Sequence, residues 1–281
     1  MKNLPLVSIT VACKNEEKNI ANCLKSIKKQ TYPQNKIEII VVDNNSKDKT
    51  KQFAKKYTPK IFNYGPERSA QRNFGMLKKS QGKYLMFLDA DMTLNPKTIA
   101  AAVSKLEQTD LIALYIPEKI VGNSYWSVVR NFERQFYDAT PIDGLRFFRK
   151  EAFIKAGGFD EKLTACEDWD LDKRIKKLGK TGILSRHTNE VIYHHDPANL
   201  NFKKYLTKKA NYFPSCKKYI NKWGFNNKEV KKQFGFLYRY LIVFLENNKW
   251  KNFLAKPWLT CSLYILKICL GIVFIIGKFK K

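Results

Sequence analysis

Asp89-Ala90-Asp91 follows directly on an apolar run, residues 84–88. Two carboxylates spaced by one residue serve no packing purpose where a chain leaves a buried strand. They do suit a divalent cation, because hard Mg²⁺ or Mn²⁺ takes carboxylate oxygens together with phosphate oxygens. Asp43 repeats the arrangement at the end of residues 37–42. A carboxylate there can accept a hydrogen bond from a base N–H or a ribose hydroxyl. It could instead only offset the macrodipole of the helix that follows. Ser46 is the expected cap of a helix over 47–57, which leaves Asp43 for a ligand.

A third acidic site is Glu167-Asp168, after a loop containing Gly157 and Gly158 and ahead of a helical pattern. Acids at a helix start are ordinary. A carboxylate so placed can also take the proton from a hydroxyl nucleophile within hydrogen-bond reach. His194 and His195 leave a short strand pattern, and one of them is a candidate metal ligand beside the paired acids. No Ser-His-Asp or Cys-His arrangement suggests a covalent route.

The elements that must position these groups alternate in type. Strand patterns over 6–13, 37–42, 60–63, 84–88 and 111–116 alternate with helical spacing over 19–29, 47–57, 67–80 and 96–108. In 19–29 the apolar residues Ile20, Cys23, Leu24 and Ile27 fall on one helical face. Short apolar runs between helices mean βαβ units and a mostly parallel sheet covered on both faces. Ligands of such sheets bind beyond the carboxyl ends of the strands, where Asp43 and Asp89 lie. Further strands are expected at 145–149 and 191–194 and a helix at 167–178; from about residue 199 the pattern is helical, basic and aromatic.

The 281 residues carry a formal charge of +27, with 52 Lys and Arg against 25 Asp and Glu. At 44% hydrophobic residues the chain can bury a core and is not a disordered tail. Residues 203–281 hold 18 basic and two acidic residues, so this quarter of the chain carries +16. Such a segment faces nucleic acid or an anionic lipid surface. Residues 258–277 hold a single charge, Lys267, and would reach about 30 Å as a helix, the thickness of a bilayer core. Basic residues flank both ends, Lys249, Lys251 and Lys256 before and Lys278, Lys280 and Lys281 after. Both flanks stay on the cytoplasmic side if the segment is peripheral or re-entrant; a single pass would separate them. The clustering of charge around an apolar stretch favours lipid over nucleic acid. Six cysteines without metal-type spacing point to free thiols in a reducing compartment, and no signal-peptide pattern opens the chain.

Taken in order, residues 7–16, 41–46, Gln71-Arg72-Asn73-Phe74-Gly75, 88–91, Gly157-Gly158-Phe159-Asp160-Glu161 and Glu167-Asp168 resemble the family 2 glycosyltransferases of GT-A fold, over roughly residues 5–200. The resemblance implies a GT-A catalytic domain over 1–200, with a nucleotide-sugar half to about 115 and an acceptor half from about 116, followed by a basic helical region over 201–281. It implies that Glu16 and Asp43 hold base and ribose of a UDP- or GDP-sugar, that Arg72 sits near the nucleotide, and that Asp89 contacts ribose or sugar. Asp91 would bind the cation, with His194 or His195 as its last protein ligand, and Asp168, beside Glu167, would be the catalytic base. The implied activity is an inverting, metal-dependent transfer of a sugar to a hydroxyl of a lipid-linked or cell-envelope glycan at the cytoplasmic face of a membrane. The alternative is transfer to a polyprenyl phosphate, an acceptor that needs no base. Residues 116–145 match nothing in the family pattern.

Overall fold

The computed structural model describes residues 4–197 and 201–279. Lys280, Lys281 and residue 200, where a domain boundary is expected, lie outside the described residues. The chain forms two compact units, one of Met1–Glu118 with Gly144–His195, the other of Lys119–Asp143 with Asp196–Lys281. The expected division near residue 200 is therefore incomplete. Segment 119–143, expected in the acceptor half of the catalytic domain, groups with the C-terminal helices, because its Val129 and Phe132 are buried in one apolar cluster with Leu259, Leu263 and Leu266.

In the first unit seven strands form one sheet. They are β1 (Val7–Cys13), β2 (Ile37–Asp43), β3 (Ile61–Asn63), β4 (Tyr84–Asp89), β8 (Phe147–Arg149), β6 (Ala113–Tyr115) and β9 (Thr181–Ile183), in the order β3-β2-β1-β4-β8-β6-β9. All pairings are parallel except those of β8, which runs antiparallel to β4 and β6. Met92–Leu94 (β5) pairs antiparallel with Ile192–His195 (β10) outside this sheet. Both faces of the large sheet are covered. Ile9, Val11, Met86 and Leu88 pack with α1 (Ile20–Lys28) and α4 (Thr98–Glu107). Leu85, Phe87 and Phe148 pack on the other face with Phe153 of α6 (Lys150–Lys155) and with Leu171 and Ile175 of α7 (Glu167–Lys176). Two-sided burial is why these strands are apolar throughout rather than alternating. The face of α1 is the one expected: Ile20, Cys23, Leu24 and Ile27 are all buried, each contributing about 2 kcal/mol by leaving water.

Two expected elements differ. The helix expected over 47–57 is only Thr50–Ala54 (α2), and Ser46 does not cap it. Asp48 instead accepts from the Thr50 N–H at 3.0 Å. The helix expected over 67–80 begins as α3 (Arg68–Asn73) and widens to π geometry over Phe74–Lys79.

The second unit contains Glu118–Val121 (β7) beyond its first residue, α5 (Tyr125–Arg134), α8 (Phe202–Ala210), α9 (Phe213–Trp223), α10 (Lys228–Phe234), α11 (Val243–Leu245), α12 (Trp250–Leu254) and α13 (Pro257–Phe279). Helix α13 contains the long apolar segment. Leu259, Leu263 and Leu266 on one face are buried with Phe136, Val243 and Phe244. Lys267 is buried as well, with Nζ 3.2 Å from Glu133 Oε1 and 3.0 Å from the Tyr137 hydroxyl. The opposite face exposes Trp258, Ile265, Ile268, Ile272 and Ile275, each between 51% and 62%. Among the described residues no helix is long and apolar enough to cross a membrane.

Candidate active site

The register of the sheet brings the first acids together. Cys13 at the end of β1 stands opposite Asp43 on one side, and Ala12 opposite Asp89 on the other. Asp43 and Asp89 therefore leave the same edge of the sheet, two strands apart. Asp43 itself is fully buried. Both its oxygens accept from Ser46: Oδ1 from the hydroxyl, Oδ2 from the N–H at 2.8 Å. The serine expected to free Asp43 for a ligand is thus its own hydrogen-bond partner, and each carboxylate oxygen keeps a further acceptor site. Glu16 is partly exposed at the same edge and accepts from Asn19 Nδ2 at 2.7 Å. Burial raises its pKa, and Asp91 and Asp89 push in the same direction.

The Gln71–Gly75 motif assembles the edge. Gln71 donates to the carbonyls of Cys13 at 2.9 Å and Val42 at 2.7 Å, the ends of β1 and β2. Gly75 lets the helix lie against β1, since a Cβ there would run into the Thr10 side chain. Asn73 clamps the glycine loop: its Nδ2 donates to the Phe159 carbonyl at 2.9 Å and its Oδ1 accepts from the Phe159 N–H at 2.8 Å. Gly158 has φ +67° and a Cβ there would lie 2.5 Å from Asn73 Oδ1, so this clamp requires glycine.

Arg72 lies between these anchors. Its Nη2 is 2.7 Å from Asp89 Oδ1, and its Nη1 is 3.2 Å from Asp168 Oδ1 and 3.3 Å from Glu167 Oε1. The guanidinium is stacked over Phe87, 4.2 Å from the ring centre. With 1% exposure its guanidinium is taken up by three carboxylates. Burial alone would raise the Asp89 pKa, but Arg72, Arg68 and Arg146 together hold the carboxyl well below the usual range. Glu167 is nearly buried and shifts the other way, raised by burial and by Asp168. Asp168 keeps a side chain 29% exposed, on the first turn of α7 beyond the left-handed Cys166. Of the Glu167-Asp168 pair, Asp168 is the one with an open side.

The two histidines separate. His194 directs Nε2 at Asp91 Oδ2, 3.4 Å away, and Nδ1 at Glu118 Oε1, 2.9 Å away. His195 meets the Thr93 hydroxyl at 2.8 Å. Burial would lower the His194 pKa, but its hydrogen bonds to Asp91 and Glu118 raise it to about 9. Asp91 and His194 thus stand face to face, one carboxylate oxygen 3.4 Å from one imidazole nitrogen, and a cation held between them would replace the proton that now links them. No cluster of three possible metal-ligating side chains occurs among the described residues. Two protein ligands fit a cation whose remaining positions are filled by phosphate oxygens and water, as Mg²⁺ and Mn²⁺ prefer. Glu118 and Arg146 were not expected in this neighbourhood. Glu118 does carry the same signature as Asp43 and Asp89, an acid shortly after a strand.

The sequence profile described as Glycosyl transferase family 2 matches residues 8–158, more than half of the chain. The chain belongs to this family. It is 36% identical over 113 residues to the glycosyltransferase AglE of Haloferax volcanii, covering 38% of this chain and 37% of that protein. It is 28% identical over 199 residues to the beta-monoglucosyldiacylglycerol synthase of a Nostoc species, covering 62% and 42%. The chain thus spans less than half the length of these relatives. The fold is that of the mannosyltransferase PcManGT from Pyrobaculum calidifontis, solved in complex with GDP-Man and Mn²⁺. The TM-score is 0.67 at 19% identity, covering all of this chain and 89% of that one. The GT-A sheet expected from the sequence is present, with its helices on both faces.

Proposed function

We propose that this glycosyltransferase moves a sugar from a nucleotide-diphosphate sugar to a hydroxyl of a lipid-linked or envelope glycan in one inverting displacement. The supporting observation is the partly open carboxylate of Asp168, tethered by Arg72 to the acid pair that follows β4. Asp168 accepts the proton of the acceptor hydroxyl as its oxygen bonds to the anomeric carbon and the bond to the diphosphate breaks. Asp91 and His194 would hold a divalent cation, Mg²⁺ or Mn²⁺, whose charge, when bound, stabilises the departing diphosphate. Arg72 keeps Asp168 aligned and Asp89 ionised. The complex of PcManGT with GDP-Man and Mn²⁺ agrees with this reading. The test is Asp168→Asn with a panel of UDP- and GDP-sugars. Loss of transfer with donor binding retained supports a hydroxyl acceptor. Retained transfer favours an acceptor that is already anionic, such as a polyprenyl phosphate.

The acceptor reading includes a location, the cytoplasmic face of a membrane. Support comes from the second unit. The exposed stripe Trp258, Ile265, Ile268, Ile272 and Ile275 recurs at helical spacing on α13, within the part of the chain that carries +16. The buried Lys267 is tied to Glu133 of α5, so α13 is packed as protein on one side and free for lipid on the other. This is the pattern of a helix lying in the interface rather than across it.

A further inference from the structure

We propose that Glu118 is a positioning residue: it fixes the ring of His194, so that Nε2 is the atom offered beside Asp91. The proposal rests on the reading of Asp91 and His194 as cation ligands. Three observations support it. The first is geometric. Glu118 Oε1 lies 2.9 Å from His194 Nδ1, and His194 Nε2 lies 3.4 Å from Asp91 Oδ2. The three side chains form a row through the imidazole rather than a cluster around a point. Glu118 thus anchors one ring nitrogen, which leaves the other, Nε2, turned toward Asp91.

The second observation is what holds Glu118. Its Oε2 is 3.3 Å from Arg146 Nη2, and its backbone carbonyl accepts from Arg186 Nη2 at 2.9 Å. The Arg146 guanidinium lies over Phe87, 4.8 Å from the ring centre, the same aromatic ring that carries Arg72. Two buried cations thus stack on one residue of β4, one holding Asp89 and Asp168, the other holding the partner of His194. The third observation is cost. Glu118 is 5% exposed, and an acid so buried is unfavourable unless paired. Its side chain is used on Arg146 and His194. A carboxylate behind a ligating histidine orients the ring and raises its basicity, and loss of such a partner weakens metal binding about 10–100-fold.

The experiment is a Mn²⁺ titration of the full chain by electron paramagnetic resonance, with UDP or GDP present. It compares wild type, Glu118→Ala, Glu118→Gln, His194→Ala, Asp91→Ala and the Glu118→Ala/His194→Ala double variant, each with a thermal melt. Glu118→Ala should weaken Mn²⁺ binding about 10–100-fold. Glu118→Gln, whose amide oxygen still accepts from Nδ1, should recover part of that loss. The double variant should bind no more weakly than His194→Ala, because Glu118 acts through the ring. Wild-type Mn²⁺ affinity in Glu118→Ala, with or without a lower melting temperature, overturns the proposal when His194→Ala is weakened. Multiplying losses in the double variant also overturn it. If neither Asp91→Ala nor His194→Ala changes Mn²⁺ binding, the cation reading itself fails, and the role of Glu118 fails with it.

Discussion

Arg72 Nη1 lies 3.2 Å from Asp168 Oδ1, so the candidate base on α7 is aligned by a residue of α3, nearly a hundred positions earlier in the chain. The same guanidinium holds Asp89 at 2.7 Å. One buried cation therefore sets the distance between the acid pair after β4 and the base.

Replacing that cation should affect activity and stability together. Lysine at position 72 keeps the charge but not the planar fork, so it cannot hold Asp89 and Asp168 at once. Arg72→Lys should reduce kcat about 100-fold, the scale of a small misplacement of reacting groups. Arg72→Met should also destabilise the fold by about 3–5 kcal/mol, because it leaves buried carboxylates facing one another. Steady-state kinetics and urea unfolding check both.

Gly157 and Gly158 make a matched pair. Both have positive φ, +78° and +67°, but a Cβ on Gly157 meets nothing within 4 Å, whereas one on Gly158 meets Asn73. Gly157→Ala should cost about 1 kcal/mol from backbone strain alone. Gly158→Ala should cost more, about 2–3 kcal/mol, because it also breaks the Asn73 clamp on Phe159. The difference in urea midpoints between the two variants is the measurement.

The Lys267–Glu133 pair gives the second unit a defined pH response. Burial pushes the Lys267 ammonium down to about 8 despite the nearby carboxylate. Because the folded-state pKa lies below the unfolded one, its contribution is fully present above about 10.5 and is lost as pH falls through about 8. Thermal melts of the wild type should therefore show a gain in stability from pH 8 towards 10 that Lys267→Met lacks. Near pH 7, Lys267→Met should lower stability by about 3 kcal/mol by leaving Glu133 unpaired, and adding Glu133→Leu should restore most of it.

For membrane binding, removal of residues 258–281 is a poor test, because it would also delete Leu259, Leu263 and Leu266 from a core. Ile268→Glu with Ile272→Glu changes only the exposed face of α13. This variant should keep the wild-type melting temperature within about 2 °C, since surface changes are usually small. It should sediment at least tenfold less with vesicles containing anionic lipid. Undiminished sedimentation would move the lipid contact away from this face.

Much of the catalytic unit was legible in the sequence because period and placement coincide there. The apolar runs ending in Asp43 and Asp89, the face of α1 and the helix opening at Glu167 all appear where expected. The roles of Asp43 and Arg72 were less legible, since whether a polar group faces a ligand or a neighbour depends on partners distant in sequence. Ser46 reads as a cap by position, yet it hydrogen-bonds Asp43. Arg72 reads from its motif as a residue near the nucleotide, and the three carboxylates that it joins lie far from it in sequence. The affiliation of segment 119–143 was hidden for the same reason: its amphipathic helix α5 specifies that one face must be covered, but not by which part of the chain.

The interruption of the first unit between Glu118 and Gly144 also bears on synthesis and on truncated forms. Strand β4, which ends at Asp89, lies between β1 and β8, and β8 is translated only after the intervening segment. A nascent or truncated chain ending near residue 118 would present β4 as an open, apolar edge with unpaired backbone groups, a template for aggregation. Fragments that stop at the end of the donor-type half should therefore be insoluble, and the shortest well-behaved form of the catalytic unit must extend at least through His195.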